Sequence, residues 1–200
     1  MSEHELLIAT RNAGKIRELE ELLNGFPVKL RSLNDFPGIV EPEETGATFA
    51  ENAVLKAVYY ARQTELLSLA DDSGLEVEAL GGAPGVYSAR YAGVEANDSQ
   101  RIEKLLEELA AAENRKARFV CAAALADSSG EVKFLAEGVC GGRITASPRG
   151  TQGFGYDPIF VPEGYAETFG ELPGEVKRRI SHRARAMDKI IAYLRDFIVI

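Results

Sequence analysis

Short apolar runs alternate with segments of helical periodicity along this chain, and this alternation constrains the fold more than any other feature of the sequence. The first run, Leu6 to Ala9, predicts a buried strand. The segment after it places four apolar residues on one face of a helix: Ile16, Leu19, Leu22 and Leu23. Thr48 and Glu51 have the spacing of a capping box, so a second helix is expected to run from there to about Thr64. Strands and helices that alternate in this way favour an α/β fold.

A turn-forming run, Asp127-Ser128-Ser129-Gly130, interrupts the alternation. The flanking segments, 118–126 and 131–139, have the pattern of strands, so the three segments together predict a hairpin. Because a hairpin pairs its strands antiparallel, we expect a mixed β-sheet flanked by helices rather than a purely parallel sheet. The glycine-rich segment 141–158 predicts irregular structure, and a last helix is expected to begin after Ser181.

The composition is that of a globular chain with an acidic balance. Hydrophobic residues make up 46% of the 200 residues, which is enough for a sizeable core, and 23 basic against 31 acidic residues give a formal net charge of -8. This sign argues against nucleic acid and against an anionic membrane surface as partners, although a local basic pocket can still bind a small anion. Since no linker, repeat or low-complexity tract is evident, residues 1–200 are expected to form a single domain.

The sequence carries no recognisable targeting signal. The N-terminal residues are acidic and lack the order of a signal peptide, and no apolar run approaches the roughly 18 residues that a membrane helix needs. Cys121 and Cys140 are too few for a disulfide framework, and two histidines exclude a histidine-rich metal site. These features predict a cytoplasmic protein.

Acidic side chains are concentrated at one predicted strand end and in one loop. Leu66 to Ala70 is expected to form a strand that ends at Asp71-Asp72-Ser73-Gly74. Ligands of open α/β sheets bind at the carboxyl ends of strands, where one carboxylate could bind Mg²⁺ and the other orient a water. The alternative is an Asp-rich turn, since Asp and Gly are common in turns. The loop over 35–51 adds five acidic residues and no basic one: Asp35, Glu41, Glu43, Glu44 and Glu51.

Two lysines occur where a phosphate could bind. Thr10-Arg11-Asn12-Ala13-Gly14-Lys15 connects a predicted strand to a helix, and the N–H groups of a helix start attract phosphate. An ordinary strand-to-helix turn with a solvated lysine is the alternative. Lys56 lies at the margin of an apolar helix face that is formed by Phe49, Ala53, Ala57 and Tyr60. Its side chain either extends into solvent or reaches into a cleft, where it could contact a phosphate oxygen.

A basic segment near the C-terminus, residues 171–185, has five basic and two acidic residues and thus a net charge of 5 minus 2, or +3. A solvated helix face explains three of the basic residues: Arg178, Arg179 and Arg185. It explains less well the three residues at the expected helix boundary: Lys177, His182 and Arg183. The loop Gly153-Phe154-Gly155-Tyr156-Asp157-Pro158 offers an aromatic ring for stacking and a carboxylate for hydrogen bonding. A planar base with attached phosphates would use both kinds of group.

Taken in order, these motifs resemble the Ham1-type inosine triphosphate pyrophosphatases, which act on non-canonical purine nucleoside triphosphates. The most specific motif is Ala70-Asp71-Asp72-Ser73-Gly74-Leu75 together with Gly81-Gly82-Ala83-Pro84-Gly85-Val86-Tyr87-Ser88-Ala89-Arg90-Tyr91. The other matching stretches are residues 9–15, 43–46, 51–53, 55–57, 153–158 and 181–183. The resemblance spans about residues 6–195 and depends on several motifs in order rather than on any one of them.

The resemblance implies an elongated α/β protein with a long twisted mixed sheet, two lobes with a central substrate cleft, and a homodimer. It also implies that ITP, dITP and XTP are hydrolysed to the monophosphate and pyrophosphate with Mg²⁺, which removes deaminated purines from the nucleotide pool. A Maf-like nucleotide pyrophosphatase and a non-enzymatic nucleotide-sensing module are the alternatives. The carboxylate pair and the acidic loop favour catalysis over sensing, because a binding module has less need of a metal-holding cluster.

The resemblance further implies roles for the matching residues. Asp72 would be the catalytic carboxylate that binds the metal and activates water, and Glu43 would help to hold the metal. Lys56 would contact the phosphate chain as a second catalytic residue, and Ser73 would contact the substrate. The role of Asp71 is left open: it either supports the site or contacts the metal directly. The phosphates would be bound by Thr10, Arg11, Asn12, Ala13, Gly14 and Lys15. The base and sugar would be contacted by Phe154, Gly155, Tyr156, Asp157, Lys177, His182 and Arg183.

Two features depart from the family pattern. Gly170 occupies a position where many relatives have alanine, and the apolar tail Phe197-Ile198-Val199-Ile200 extends past the usual end of the family. We expect this tail to pack on the core or across the dimer.

Overall fold

The computed structural model describes residues 4–198, so the last two residues of the apolar tail lie outside the described residues, as does the side chain of Ile198. The strands are β1 (Glu5–Ile8), β2 (Lys29–Ser32), β3 (Leu67–Val77), β4 (Lys116–Ala126), β5 (Val132–Ile144) and β6 (Phe160–Pro162). The α-helices are α1 (Ala13–Leu22), α2 (Phe49–Thr64), α3 (Asp98–Glu108), α4 (Gly174–Ile180) and α5 (His182–Ile198). Short 3₁₀ turns occur at Leu33–Asp35, Glu78–Leu80, Gly85–Arg90 and Asp157–Ile159.

The strands form a six-stranded sheet in the order β2-β1-β3-β4-β5-β6. β1 pairs in parallel with both of its neighbours. In this register Leu6 lies opposite Leu30 of β2 and opposite Leu67 of β3. β5 and β6 pair antiparallel, with Arg143 opposite Val161. The predicted α/β fold with a mixed sheet is therefore confirmed.

The predicted hairpin connects β4 to β5. The Asp127 N–H donates to the Glu131 carbonyl oxygen at 3.0 Å, and the Gly130 N–H donates to the Asp127 carbonyl oxygen at 2.8 Å. Gly130 has a φ of +84°, in the left-handed region that glycine adopts most easily. The turn therefore has the residue types that its geometry requires.

β3 is longer than the sequence pattern predicts. The prediction that this strand ends at Ala70 is wrong, because the strand continues to Val77 and contains both Asp71 and Asp72. Leu75 and Val77 are fully buried, so the second half of the strand packs against the core in spite of its polar centre. The Asp-rich turn that was the alternative for this motif is thereby excluded.

β5 also continues further than expected, to Ile144. The irregular structure predicted for 141–158 is therefore wrong for its first four residues. Gly142 lies against β6, and a β-carbon at this position would overlap the Val161 carbonyl oxygen. Glycine thus permits the close approach of the two strands, which is why a glycine-rich stretch can still belong to the sheet.

The helix starts follow the expected capping chemistry. Thr48 Oγ1 accepts from the Glu51 N–H at 3.1 Å, and Glu51 Oε2 accepts from the Thr48 N–H at 3.2 Å, so the capping box of α2 is confirmed. Ser181 has extended backbone angles and separates α4 from α5, which begins at His182 as predicted. None of the helices within residues 4–198 is long and apolar enough to cross a membrane.

The chain divides into two compact units, and it passes from one to the other within β3, β4 and β5 and at the start of α5. Unit 1 comprises the described residues of 1–72, 121–138 and 183–200, and unit 2 comprises 73–120 and 139–182. The core of unit 1 packs β1 and β3 against α1 and α5, through residues that include Leu6, Leu19, Leu69, Met187 and Ile190. The core of unit 2 includes Leu75, Leu105, Phe119, Phe160 and Phe169. The expectations of a single domain over 1–200 and of a substrate cleft stay predictions.

Candidate active site

The two consecutive carboxylates of β3 have different partners. Asp71 and Asp72 are both buried, with 1% and 6% of their surface exposed. Successive side chains of a strand point to opposite faces of the sheet, so each carboxylate is surrounded by its own set of side chains. The two sets described below belong to unit 1.

Asp72 is held by two side chains of α2. Lys56 Nζ donates to Asp72 Oδ1 at 3.0 Å, and Asn52 Nδ2 donates to Asp72 Oδ2 at 3.2 Å. Asn52 and Lys56 are four residues apart, so they project from the same face of the helix. Lys56 Nζ also donates to Glu44 Oε1 at 2.8 Å, which connects the acidic loop to this carboxylate. We call Glu44, Asn52, Lys56 and Asp72 the Asp72 group.

The position of Lys56 decides between the two alternatives that the sequence leaves open. Only 12% of its side chain is exposed, and its ammonium contacts the carboxylates of Glu44 and Asp72. The lysine therefore does not extend into solvent from the edge of α2. Its charge is held at a partly buried position beside the acidic loop.

The protonation equilibria of the Asp72 group are perturbed. Burial raises the pKa of Asp72, and the charge of Glu44 adds to this rise, so the opposing effects of Lys56 and Lys15 do not cancel it. A carboxylate with a raised pKa is a better proton acceptor than an ordinary aspartate. Burial lowers the pKa of Lys56, but the three carboxylates around it outweigh burial and raise its pKa to about 12. Lys56 therefore keeps its positive charge at neutral pH.

Asp71 is the central anion of a buried ion network. Its Oδ2 accepts from Arg183 Nη2 at 3.0 Å and from Arg183 Nε at 3.2 Å, and it lies 3.1 Å from Lys15 Nζ. Arg183, which is 1% exposed, also donates to Glu18 on α1. Burial alone would raise the pKa of Asp71, but Lys15 and Arg183 outweigh it and hold the pKa well below its usual range. We call Lys15, Glu18, Asp71 and Arg183 the Asp71 group.

The Asp71 group clarifies a role that the sequence leaves open. One oxygen of Asp71 holds Lys15 and Arg183, which favours a supporting role for this carboxylate. The other oxygen, Oδ1, is buried and has no hydrogen-bond partner among the described residues. A buried oxygen without a donor is suited to accept a cation or an ordered water.

The connection from β1 to α1 has the geometry of a capped helix start. Asn12 Oδ1 accepts from the Gly14 N–H at 2.9 Å and from the Lys15 N–H at 3.1 Å, and Thr10 Oγ1 accepts from the Asn12 N–H at 3.2 Å. Arg11 contacts the acidic loop, with its guanidinium 3.5 Å from Glu41. Arg11, Asn12 and Ala13 are exposed. The segment thus presents a positive helix end to solvent, and Lys15 turns inward toward Asp71.

Asp157 organises the glycine-rich loop of unit 2. Its Oδ2 accepts from the Phe154 N–H at 2.8 Å and also from Lys177 Nζ. The Lys177 ammonium lies 4.7 Å from the centre of the Phe154 ring, a distance at which cation and ring attract each other. Gly155 donates its N–H to Asp98 Oδ2 at 2.7 Å. Sequence reasoning singles out the loop and Lys177, and the structure brings them together within one unit.

The basic residues near the C-terminus divide by burial as the sequence suggests. Lys177, His182 and Arg183 are buried, and the His182 ring stacks on Phe119 with centroids 4.7 Å apart. The residues assigned to a solvated helix face are all exposed: Arg178, Arg179 and Arg185. Tyr156 is also buried, and its hydroxyl donates to the Ser88 carbonyl oxygen at 3.0 Å. These buried side chains are held in single positions by their neighbours, whereas the three arginines lie at the surface.

Oxygen donors for a cation are available, although no group of three or more His, Cys, Asp or Glu side chains within residues 4–198 is arranged to hold a metal. Mg²⁺ in nucleotide sites is bound by one or two carboxylates together with substrate phosphates and water, so a larger protein cluster is not required. Asp72 and Asp71 Oδ1 are buried oxygens of the required chemical type. Glu43, the predicted second ligand, is exposed, and Ser73 is half-buried next to Asp72 on β3.

Sequence reasoning assigned no role to several residues that the structure places in contact with the predicted ones. Asn52 could have been found from its spacing of four residues from Lys56 on one helix face. Glu18 lies three residues after Lys15, which also puts the two on one face of α1. Glu44 is part of the acidic loop, but the spacing gives no reason to choose it over Glu43. Nothing in the sequence connects Asp98 to Gly155, since 57 residues separate them.

Comparison with known proteins gives consistent matches over nearly the whole chain. The model of the Ham1 family matches residues 6–193. A dITP/XTP pyrophosphatase of Bacillus anthracis is 50% identical over 189 residues, which cover 93% of this chain and 94% of the relative. A dITP/XTP pyrophosphatase of Prochlorococcus marinus is 50% identical over 193 residues, covering 96% and 95% of the two chains.

Solved structures agree with these sequence matches. A HAM1 protein from Coxiella burnetii superposes with a TM-score of 0.88 at 43% identity, covering 96% of this chain and 99% of the other. The Ham1 protein of Staphylococcus aureus superposes with a TM-score of 0.85 at 41% identity, covering 96% and 98%. The fold and the sequence motifs therefore lead to the same set of relatives.

Proposed function

Because this chain belongs to the Ham1 family, we propose that it hydrolyses the non-canonical purine nucleoside triphosphates ITP, dITP and XTP to the monophosphate and pyrophosphate. The chain is a hydrolase that acts on the α–β phosphoanhydride and removes deaminated purines from the nucleotide pool. Relatives that are half identical over more than nine-tenths of their length and are named dITP/XTP pyrophosphatase support this activity. The family match also disfavours the Maf-like enzyme and the nucleotide sensor.

The observation that carries the proposal is the ion pair between the buried Asp72 and the partly buried Lys56. Water must attack the α-phosphorus while pyrophosphate leaves as a highly charged anion. Asp72 orients this water and accepts its proton. Lys56 stays protonated and offsets the negative charge that develops on the phosphoryl oxygens and the leaving group.

We assign the phosphates to the positive end of α1. Thr10, Arg11, Asn12, Ala13, Gly14 and Lys15 form the connection that would bind them. The helix start and Lys15 supply the positive charge that a triphosphate requires. Asp71 and Glu18 support this assignment, since they orient the cations Lys15 and Arg183 through short ionic contacts.

We assign Mg²⁺ as the cofactor, with Asp72 and Glu43 as its protein ligands. The oxygen donors described above fit this ion, and each carboxylate oxygen can accept more than one bond. When bound, Mg²⁺ neutralises charge on the phosphates. Asp72 remains the group that orients the water and takes its proton.

We assign the base and sugar to the residues that the family resemblance implies for them. Ser73 contacts the substrate beside Asp72. The base and sugar are contacted by Phe154, Gly155, Tyr156, Asp157, Lys177, His182 and Arg183. A donor aimed at the 6-keto oxygen would accept inosine and xanthosine but would be left unpaired by the amino group of adenine. Arg183 or a backbone N–H supplies this donor, and rejection of guanosine requires a further contact near position 2.

We further propose a cytoplasmic homodimer that has neither a nucleic-acid nor a membrane partner. The cytoplasmic location follows from the substrate, since nucleoside triphosphates are made and used there. The net charge of -8 supports the exclusion of a long polyanionic partner. Light scattering on a sizing column tests the dimer, and a mass of one chain would contradict it.

The deciding experiment measures product release from ITP, dITP, XTP, GTP, ATP and modified pyrimidine triphosphates with and without Mg²⁺. Pyrophosphate release from the first three, dependent on the metal, is the expected result. Equal turnover of ATP and ITP would contradict the purine preference. Orthophosphate as the first product would contradict cleavage between the α and β phosphates.

A further inference from the structure

Asn52 is a buried amide that contacts two different parts of unit 1. It is 0% exposed, its Nδ2 donates to Asp72 Oδ2 at 3.2 Å, and its Oδ1 accepts from the Gly46 N–H at 2.7 Å. The donor end of the amide thus faces the carboxylate of β3, and the acceptor end faces the acidic loop. Because a buried amide is costly unless its polar atoms are bonded, both contacts are needed for Asn52 to occupy this position.

Asp72 receives one donor on each of its oxygens. Lys56 donates to Oδ1 and Asn52 donates to Oδ2, and both donors come from the same face of α2. A carboxylate that is bonded on both oxygens cannot rotate about its last torsion without breaking a hydrogen bond. Asn52 provides its contact without adding charge, so it fixes the orientation of the carboxylate and leaves its negative charge in place.

The acidic loop is attached to the same helix at the same place. A β-carbon at Gly46 would lie 2.6 Å from Asn52 Oδ1 and 2.8 Å from the β-carbon of Glu51, so only glycine allows this approach. Glu51 Oε2 also accepts from the Ala47 N–H at 2.7 Å. Two consecutive loop residues are therefore bonded to side chains of α2. Glu44, two residues before Gly46, reaches Lys56 from this attachment.

We propose that Asn52 is a positioning residue, which orients the Asp72 carboxylate and fixes the acidic loop to the same helix through Gly46. The inference rests on the proposed function of Asp72. A side chain that only filled the core would not need an amide directed at the reacting carboxylate. The amide acts through Asp72 and the loop and does not contact the substrate.

The test compares Asn52→Asp with wild type. This change keeps the size and the acceptor for Gly46 but replaces the donor facing Asp72 by a carboxylate oxygen. The expected result is a kcat that is lower by about 10-fold to 100-fold, as for other small displacements of a reacting group, with KM close to the wild-type value. A kcat within twofold of wild type would overturn the proposal. A rise in KM that by itself accounts for the fall in kcat/KM would also overturn it.

Two further variants keep the comparison decisive. Gly46→Ala displaces the loop from the acceptor end of Asn52 and is expected to lower kcat in the same way, so it replaces Asn52→Asp if that variant does not fold. Ser68→Ala removes another buried polar group of β3, whose Oγ has no hydrogen-bond partner among the described residues, and is expected to leave kcat unchanged. If Ser68→Ala lowered kcat as much as Asn52→Asp does, the role of Asn52 would be structural only.

The rates are measured on the nucleotide that the wild-type enzyme turns over fastest. A wild type that prefers ATP would refute the proposed substrate class, and the ratio of variant to wild-type kcat would still decide the role of Asn52. Circular dichroism and a melting curve of each variant show that the compared proteins are folded.

Discussion

Gly153 and Gly155 form a matched pair that tests how Asp157 holds the loop of unit 2. Their φ values are +74° and +60°, so an alanine is strained at both positions. A β-carbon at Gly153 would overlap Asp157 Oδ2, whereas a β-carbon at Gly155 would have no heavy atom within 4 Å. Gly155→Ala therefore measures backbone strain alone, and Gly153→Ala measures the same strain together with the displacement of Asp157.

The difference between the two variants can be worked out from the contacts of Asp157. An L-residue in the left-handed region costs about 1–2 kcal/mol, which is the expected loss in the free energy of unfolding for Gly155→Ala. Asp157 Oδ2 accepts from the Phe154 N–H at 2.8 Å and from Lys177. Losing a hydrogen bond to a charged group costs a further amount of about 1.5–3 kcal/mol, so Gly153→Ala should lose about 2.5–5 kcal/mol in total.

Urea denaturation followed by circular dichroism measures both values on the same chain. The expected result is a midpoint for Gly153→Ala that is clearly below that of Gly155→Ala at a similar slope. Equal midpoints for the two variants would show that the loop adjusts without displacing Asp157, and the assigned role of this carboxylate would then be wrong.

Three further variants test the roles of Lys56, Asp71 and Thr48. Lys56→Ala should weaken the binding of ITP much more than that of inosine, as measured by calorimetry, and equal losses would indicate a structural lysine. Asp71 has a folded pKa below its ordinary value of 3.8, so it stabilises the fold above that pH and loses this effect as the pH falls further. Asp71→Asn should lower the unfolding free energy at neutral pH by about 3–5 kcal/mol and flatten the acid unfolding curve, and a curve as steep as that of wild type would contradict the ion network. Thr48→Ala should destabilise the protein by about 1 kcal/mol in thermal unfolding, and an unchanged melting temperature would contradict the cap.

The local parts of the fold could be predicted from the sequence because local chemistry determines them. The capping box of Thr48 and Glu51 satisfies the free N–H groups of a helix start, and its spacing is visible without a structure. The hairpin around Asp127 to Gly130 depends on turn-forming residues between two strand patterns. Residue type and spacing were sufficient in both cases.

The length of β3 could not be predicted because its second half is stabilised by tertiary contacts. Asp, Asp, Ser and Gly have low strand propensity, and in isolation they favour a turn. Leu75 and Val77 are fully buried in unit 2, and this burial outweighs the local preference. The consequence for the site is direct, because a strand sends Asp71 and Asp72 to opposite sides of the sheet and gives them separate hydrogen-bond partners.

The partners of the predicted site residues were also beyond the sequence. Arg183 and Asp71 are 112 residues apart, and their pairing depends on how α5 packs on the sheet. The choice between Glu43 and Glu44 depends on the loop conformation, and Glu44 is the one whose carboxylate contacts Lys56. The family resemblance supplied the predicted residues of the site, whereas the contacts between them required the structure.

In the proposed reaction Asp72 takes the proton from the attacking water, and Asp72→Asn is the decisive variant for this role. The amide keeps the shape of the side chain but cannot accept the proton. We expect pyrophosphate release from ITP to fall by a factor of about 10² to 10⁴, while calorimetry shows that the variant keeps much of its affinity for ITP. Turnover at the wild-type rate in a folded Asp72→Asn protein would contradict the proposed role of Asp72.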